Sequence, residues 1–287
     1  MPPSRLPFVL FLDIDRTLIG RAASLASHYL LQRVIAESRN NDCTAADVLA
    51  GVPADYAEAL VRPGLSAALD SIRAALKAGD GYDSLEVFIC SMGQKGLVAD
   101  VKVPLIEAVA GVKFNRPLFC VSSAPDENCQ ATADAAKKLV YKCFCTAIST
   151  LAVKNKRWSH LSKDIETTVK QLHATRFLMI DDTRDVAWDA ASNRRVLVCP
   201  PYERMPRWDV LAKAGKSSTS RPHLVRKFIE DNKGTLFASG TPEVVEEGED
   251  DIFWPKCARM FSAVIAEKRV MTLSDADIRR LEKRSCS

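Results

Sequence analysis

The sequence predicts a three-layer α/β fold with a mainly parallel central sheet, and three observations carry that prediction. Short apolar runs recur along the chain at Phe8 to Leu12, Leu85 to Cys90 and Phe177 to Ile180, each ending in a polar or acidic group. The first of them is apolar without alternation, which suits a strand buried on both faces of a parallel sheet rather than one face of an antiparallel sheet. Between the runs, apolar residues return at helical spacing, and strands that alternate with helices of this length argue for helices covering the sheet.

The first strand, Phe8 to Leu12, ends in Asp13-Ile14-Asp15-Arg16-Thr17, so two carboxylates emerge where open α/β sheets place their ligands. While the chain is still extended, alternate residues share a face, and both carboxylates are expected to point at one centre. Residues 24–38 place Leu25, Tyr29, Leu30, Val34 and Ile35 at helical spacing, and Asn40-Asn41 closes that helix. Residues 39–61 read as an irregular, partly helical approach to Pro63, giving a small helical insert at about 20–62. Pro63 opens the next helix, Leu65, Leu69, Ile72 and Leu76 mark its buried face, and Gly79-Asp80-Gly81 ends it. Leu85 to Gly93 is the second strand and carries Ser91 near its end. Residues 97–109 repeat the helical pattern, while Phe119 to Val121 and Val196 to Cys199 read as short strands on either side of the Phe177 to Ile180 run.

A core over residues 1–214 is therefore followed by a polar and acidic linker at 215–251, which includes Glu246-Glu247-Gly248-Glu249-Asp250-Asp251. A helical segment at 252–287 ends the chain. Its apolar cluster of Phe253, Trp254, Met260, Phe261, Val264 and Ile265 is expected to dock onto the core or onto a protein partner. A further helix is expected near Ser274, where Ser-x-x-Asp is a start signal.

An Asp-x-Asp turn at a strand end fits attack on a phosphomonoester by one carboxylate, with the other as acid and base for the leaving alcohol and the incoming water. Asp13 is the expected nucleophile and Asp15 the acid/base. Two carboxylates beside a phosphate dianion would repel it, so the site implies a hard, oxygen-preferring cation, Mg2+, with at least one further acidic ligand. Asp181 and Asp182, at the end of the Phe177 to Ile180 strand, are the candidates, although acids there also serve as caps of a following helix. Asp185 fits either a supporting role at the metal or the first turn of that helix. Ser91 offers a hydroxyl to a phosphoryl oxygen or is an ordinary strand-end residue. Lys154, Lys156 and Lys163 precede the acidic strand and offer a cation for phosphoryl charge, or are surface lysines.

This ordered set, strand-Asp-x-Asp-x-Thr, strand-Ser, Lys and strand-Asp-Asp, resembles the haloacid dehalogenase superfamily of phosphotransferases. Arg62-Pro63-Gly64-Leu65, Glu86-Val87-Phe88-Ile89-Cys90-Ser91-Met92 and Lys156-Arg157-Trp158-Ser159-His160-Leu161-Ser162-Lys163-Asp164 are similar to segments of the phosphatases of the RNA polymerase II carboxy-terminal domain and their nuclear-LIM-interactor-interacting-factor relatives. The resemblance covers about residues 7–200. It implies a Rossmann-like fold, Asp13 as nucleophile and metal ligand, and Asp15 as acid/base whose backbone carbonyl also faces the metal. It further implies Ser91 and Lys156 holding the phosphoryl group, and Asp182 with Asp181 completing the metal shell. Two departures stand out: Arg16 lies inside the catalytic turn, where it is expected in solvent or on a substrate phosphate, and Thr183-Arg184 replaces the family's frequent Ser-Pro. Residues 122–153 match poorly and read as a local insertion.

The expected function is a Mg2+-dependent phosphomonoester hydrolase, with a phosphoprotein substrate preferred because the insert is small. A nucleotide, sugar or polynucleotide-end phosphatase and a non-catalytic binding module are the alternatives. Composition agrees with an enzyme: 47% of the 287 residues are hydrophobic, enough for a sizeable core. A net charge of +4 without a dense basic block argues against nucleic acid. The nine cysteines and four histidines lack metal spacing, and an odd cysteine count without a secretory leader reads as reduced thiols. No run reaches membrane-spanning length, which places the protein in cytoplasm or nucleus.

Overall fold

A computed structural model describes residues 6–78, 82–121, 142–143, 145–151, 177–183, 195–206, 221–231 and 252–267. Five strands form one all-parallel sheet in the order β3-β2-β1-β4-β5, with β1 Leu6–Leu12, β2 Tyr82–Gln94, β3 Phe119–Val121, β4 Phe177–Asp181 and β5 Val196–Val198. The chain runs outward from β1 through β2 to β3, then returns to the other side of β1 for β4 and β5. The direction of winding reverses between β1 and β4, and such a reversal opens a crevice at the carboxyl ends of the strands.

β1 is apolar throughout because each of its faces meets a different hydrophobic layer. Phe8, Leu10 and Leu12 join one core with Ile89, Leu178 and Ile180, while Val9 and Phe11 join a second with Phe88, Phe119 and Met179. Phe11, Phe88 and Phe119 form a three-ring cluster in the second layer with centroids 5.8–5.9 Å apart, and Ile148 and Leu151 of the helical stretch 145–151 cover it.

On the other face lies α4 (Leu65–Ala78), which buries Leu65, Leu69, Ile72 and Leu76 as its spacing requires. Ahead of it come α1 (Ala23–Ser38), α2 (Ala45–Leu49) and α3 (Ala54–Leu60), a small helical insert between β1 and α4. Thr44 and Asp47 close a reciprocal capping box at the start of α2. After β2 the chain runs helically from 95 to 110 in three pieces: α5 (Lys95–Leu97), a π-helical turn (Val98–Lys102) and α6 (Val103–Ala110). Pro104 explains the widened turn. Its ring has no N–H to donate and would clash with the carbonyl four residues back, so the preceding turn expands.

α7 (Pro222–Asp231) packs on α1 through Val225 against Leu31 and Ile35. α8 (Phe253–Glu267) lies along α4, with Trp254 and Phe261 fully buried and Phe261 edge-on to Phe8 at 5.4 Å. Burying two such side chains stabilises the fold by about 1.5–3 kcal/mol each, so Phe253, Trp254 and Phe261 of the apolar cluster are spent on the core. No helix among the described residues is long and apolar enough to cross a membrane.

Candidate active site

Register brings the acids together. Leu12 of β1 pairs with Ile180 of β4, and the Asp13 amide donates to the Ile180 carbonyl at 3.0 Å, so Asp13 and Asp181 leave adjacent strands side by side. Carboxylate oxygens of Asp13, Asp181 and Asp182 lie within 4.8 Å of one another. On the other side of β1, Leu12 pairs with Ile89, which carries Ser91 two residues further to the same end of the sheet. Asp13, Asp15, Ser91, Asp181 and Asp182 line one cleft of about 380 Å3.

The turn after β1 is tightly made. The Ile14 carbonyl accepts from the amides of Leu18 at 2.9 Å and Ile19 at 3.0 Å, while the Arg16 amide donates to the Ile19 carbonyl at 2.7 Å. Arg16 therefore sits in the left-handed region with φ 62°, a conformation costing an ordinary residue roughly 1–2 kcal/mol. Its neighbours compensate: the Arg16 carbonyl accepts from the Tyr202 amide at 2.7 Å, and Thr17 is fully buried beside Cys199. Arg62, itself buried, donates to the Pro200 carbonyl at 2.9 Å and lies over the rings of Phe253 at 4.5 Å and Tyr202 at 5.5 Å. One guanidinium thus joins the surroundings of the turn after β1, the loop after β5 and α8.

The electrostatics follow from burial and crowding. Asp13 is only 9% exposed. Burial first, then the neighbouring Asp181 and Asp15 carboxylates, push its carboxyl well above the usual carboxylate range. Asp182 is also raised by burial, with the Arg16 guanidinium working in the opposite direction. Asp181 is buried and turns an oxygen back to accept from the Thr183 amide at 2.9 Å. Ser91, also buried, accepts from the Gly93 amide at 3.1 Å. A Cβ on Gly93 would stand 2.7 Å from Val98, 3.3 Å from the Ser91 hydroxyl and 3.8 Å from Asp15 Oδ2, so only glycine lets the backbone pass between these groups.

One expectation changes and another gains detail. Arg16 is exposed, as the solvent reading expects, but it is paired there, with Asp182 at 3.1 Å and with Glu203 at 2.5 Å, and Glu203 also accepts from Arg21 at 2.7 Å. The left-handed backbone turns the Arg16 side chain along the rim toward these acids. Asp15 does not share the centre formed by Asp13, Asp181 and Asp182 through its side chain. Instead both its oxygens accept from Lys102 Nζ, at 2.6 and 2.8 Å. The period-two argument fails here because the strand has ended at Leu12 and the chain is already turning.

Lys102 is the site residue that sequence reasoning missed. A lysine within an amphipathic stretch reads as a solvated face, and the one available signal was Pro104 two residues later. Lys156, Lys154, Lys163 and Asp185 lie outside the described residues, as do Ser274, most of the poorly matching 122–153 segment, and most of the linker.

Chemically, the cleft offers one nearly buried carboxylate with two acidic neighbours, a fourth carboxylate held apart by a lysine, and a buried hydroxyl. The all-oxygen trio suits a hard divalent cation, because three carboxylates this close repel one another until a positive charge joins them. The fold and the cleft define a parallel α/β protein with an acidic site at the point where its winding reverses. A scan against protein-family models finds no match to this chain, and a search of curated proteins finds none either.

Proposed function

We propose that the protein is a Mg2+-dependent phosphomonoester hydrolase of the haloacid dehalogenase type, working through an aspartyl-phosphate on Asp13. The observation that carries this reading is the division of the carboxylates. Asp13 stands with Asp181 and Asp182, while Asp15, two residues on, is held separately by Lys102 in the same cleft. That division supports a reading in which one carboxylate attacks and another moves protons, the separation that two-step phosphoryl transfer requires.

Asp13, Asp181 and Asp182 would hold the cation, which when bound supplies positive charge against the phosphoryl oxygens. Asp13 Oδ attacks phosphorus as the bond to the leaving oxygen breaks. Asp15 gives its proton to that oxygen, then takes a proton from the water that releases phosphate. The Ser91 hydroxyl, at the cleft wall, is the donor to a phosphoryl oxygen. Lys156 retains its expected role as a phosphoryl-holding cation. The preference for a phosphoprotein is supported by the lining of the cleft: none of it comes from α1, α2 or α3, so among the described residues the helical insert does not close over the acids.

The test is hydrolysis of para-nitrophenyl phosphate with and without Mg2+, beside an Asp13→Asn control, followed by a panel of phosphopeptides and phosphorylated metabolites. Turnover that needs the metal and vanishes in the variant supports the reading. Well-folded protein inert toward every ester moves the weight to a binding module.

A further inference from the structure

Lys102 is nearly buried, with 7% of its side chain exposed, whereas its partner Asp15 is 45% exposed. That asymmetry matters. A buried ammonium needs a compensating charge, and among the described residues Asp15 is its acidic partner. The ammonium is fixed by the fold: it stands at the end of the π-helical turn, between the buried Val101 and Val103, and it does not line the cleft. Two of its three protons reach the two oxygens of one carboxylate, which fixes both the position and the rotation of that carboxylate. Asp15 Oδ2 is thereby kept beside Gly93, at the end of β2, and outside the close group formed by Asp13, Asp181 and Asp182.

We propose that Lys102 is a positioning residue that aims Asp15 at the leaving oxygen of the substrate. The inference rests on the phosphatase reading and adds to it a residue 87 positions from Asp15 in the sequence. Proton donation requires an Asp15 oxygen within hydrogen-bond reach of the oxygen that departs from phosphorus. An unanchored carboxylate on a half-exposed turn would sample rotations that waste this reach, and displacement of a catalytic group by about 1 Å costs roughly a hundredfold. Lys102 prevents that. Asp15 takes up a proton from solvent as the phosphate enters beside it, passes that proton to the leaving oxygen, and returns to the carboxylate that the ammonium neutralises.

The role has a signature that a merely structural ion pair lacks. A good leaving group departs without a proton, whereas a poor one needs Asp15. The experiment measures kcat and KM for para-nitrophenyl phosphate, phenyl phosphate and benzyl phosphate with wild type, Lys102→Met, Lys102→Arg, Asp15→Asn and the Lys102→Met/Asp15→Asn double variant. Methionine replaces the buried ammonium with an apolar chain of similar length, so the fold is retained, and arginine keeps the charge if it is not.

Lys102→Met is expected to lose about 100-fold in kcat/KM on benzyl phosphate and less than about 5-fold on para-nitrophenyl phosphate, because kcat/KM reports phosphoryl transfer to Asp13 and not the later release of phosphate, which uses Asp15 with every ester. Lys102→Arg is expected to recover part of the benzyl phosphate loss. The double variant should be no slower than Asp15→Asn, because both substitutions remove the same function. An equal loss in kcat/KM across the three esters, or losses that multiply in the double variant, overturns the inference while leaving the phosphatase reading intact. A wild-type protein inert toward all three removes the phosphatase reading and the inference with it.

Discussion

Arg16 Nη1 stands 3.1 Å from Asp182 Oδ2, so a cation from the turn after β1 already occupies one of the acids of the trio. The same guanidinium pairs with Glu203, which ties the turn to the loop after β5. Arg16 is therefore part of the rim that any divalent cation has to share.

Arg16→Asn should tighten Mg2+ binding. Asparagine tolerates the left-handed backbone at this position, and the substitution frees Asp182 from a competing positive charge. Exposed pairs of this kind contribute little, so the gain by titration calorimetry is expected to be no more than about fivefold in affinity. A weaker affinity would show that Arg16 organises the trio instead of competing for it.

Asp13→Asn should abolish turnover yet leave the metal-free protein as stable as wild type or more so. Burial and then the Asp181 and Asp15 carboxylates raise the Asp13 carboxyl, so its charge opposes folding. Removing that charge is expected to raise the urea midpoint of the metal-free protein near neutral pH. A loss of stability would contradict the repulsion described here.

The same shift fixes a pH dependence. The native state holds the Asp13 proton more tightly than the unfolded chain does. Its stabilising contribution is complete below the unfolded carboxylate value and is lost as pH rises through the elevated native one. A bound cation requires the ionised form and displaces that proton. Thermal melts between about pH 5 and 8 should therefore show a Mg2+-induced rise in Tm that grows with pH. A rise that is flat or shrinks with pH would argue against Asp13 as a ligand.

Arg62→Ala should destabilise the protein by about 2–4 kcal/mol in chemical unfolding, because it leaves the Pro200 carbonyl unpartnered and removes the plane stacked between Phe253 and Tyr202. Arg62→Lys should recover little of this, since an ammonium cannot reproduce a stacked, forked donor. A cost below about 1 kcal/mol would show that the loop after β5 and α8 hold their places without it.

Much of this architecture was legible because burial leaves a pattern in the chain. Phe8 to Leu12 reads as a strand covered on both faces, and both faces are covered. Pro63 and the Leu65, Leu69, Ile72 and Leu76 spacing mark α4, and the strand ends alone point to Asp13, Ser91, Asp181 and Asp182, which line one cleft. What escaped depends on geometry that periodicity does not encode. The direction of Arg16 follows from a left-handed residue and from Glu203, 187 positions away. Lys102 is turned inward by a widened helical turn ahead of Pro104, whereas a regular helix pattern carries no mark of it. Asp15 left the trio because the strand stops before it, so counting by twos no longer applied.

The central claim is that Asp13 becomes phosphorylated during turnover. Protein quenched in acid while hydrolysing phenyl phosphate with Mg2+, then digested and weighed, tests this directly. The account predicts that the peptide containing Asp13 gains the mass of one phosphoryl group, that hydroxylamine removes it, and that Asp13→Asn never acquires it. Sustained hydrolysis with that peptide unmodified throughout, or with the adduct on another residue, would contradict it.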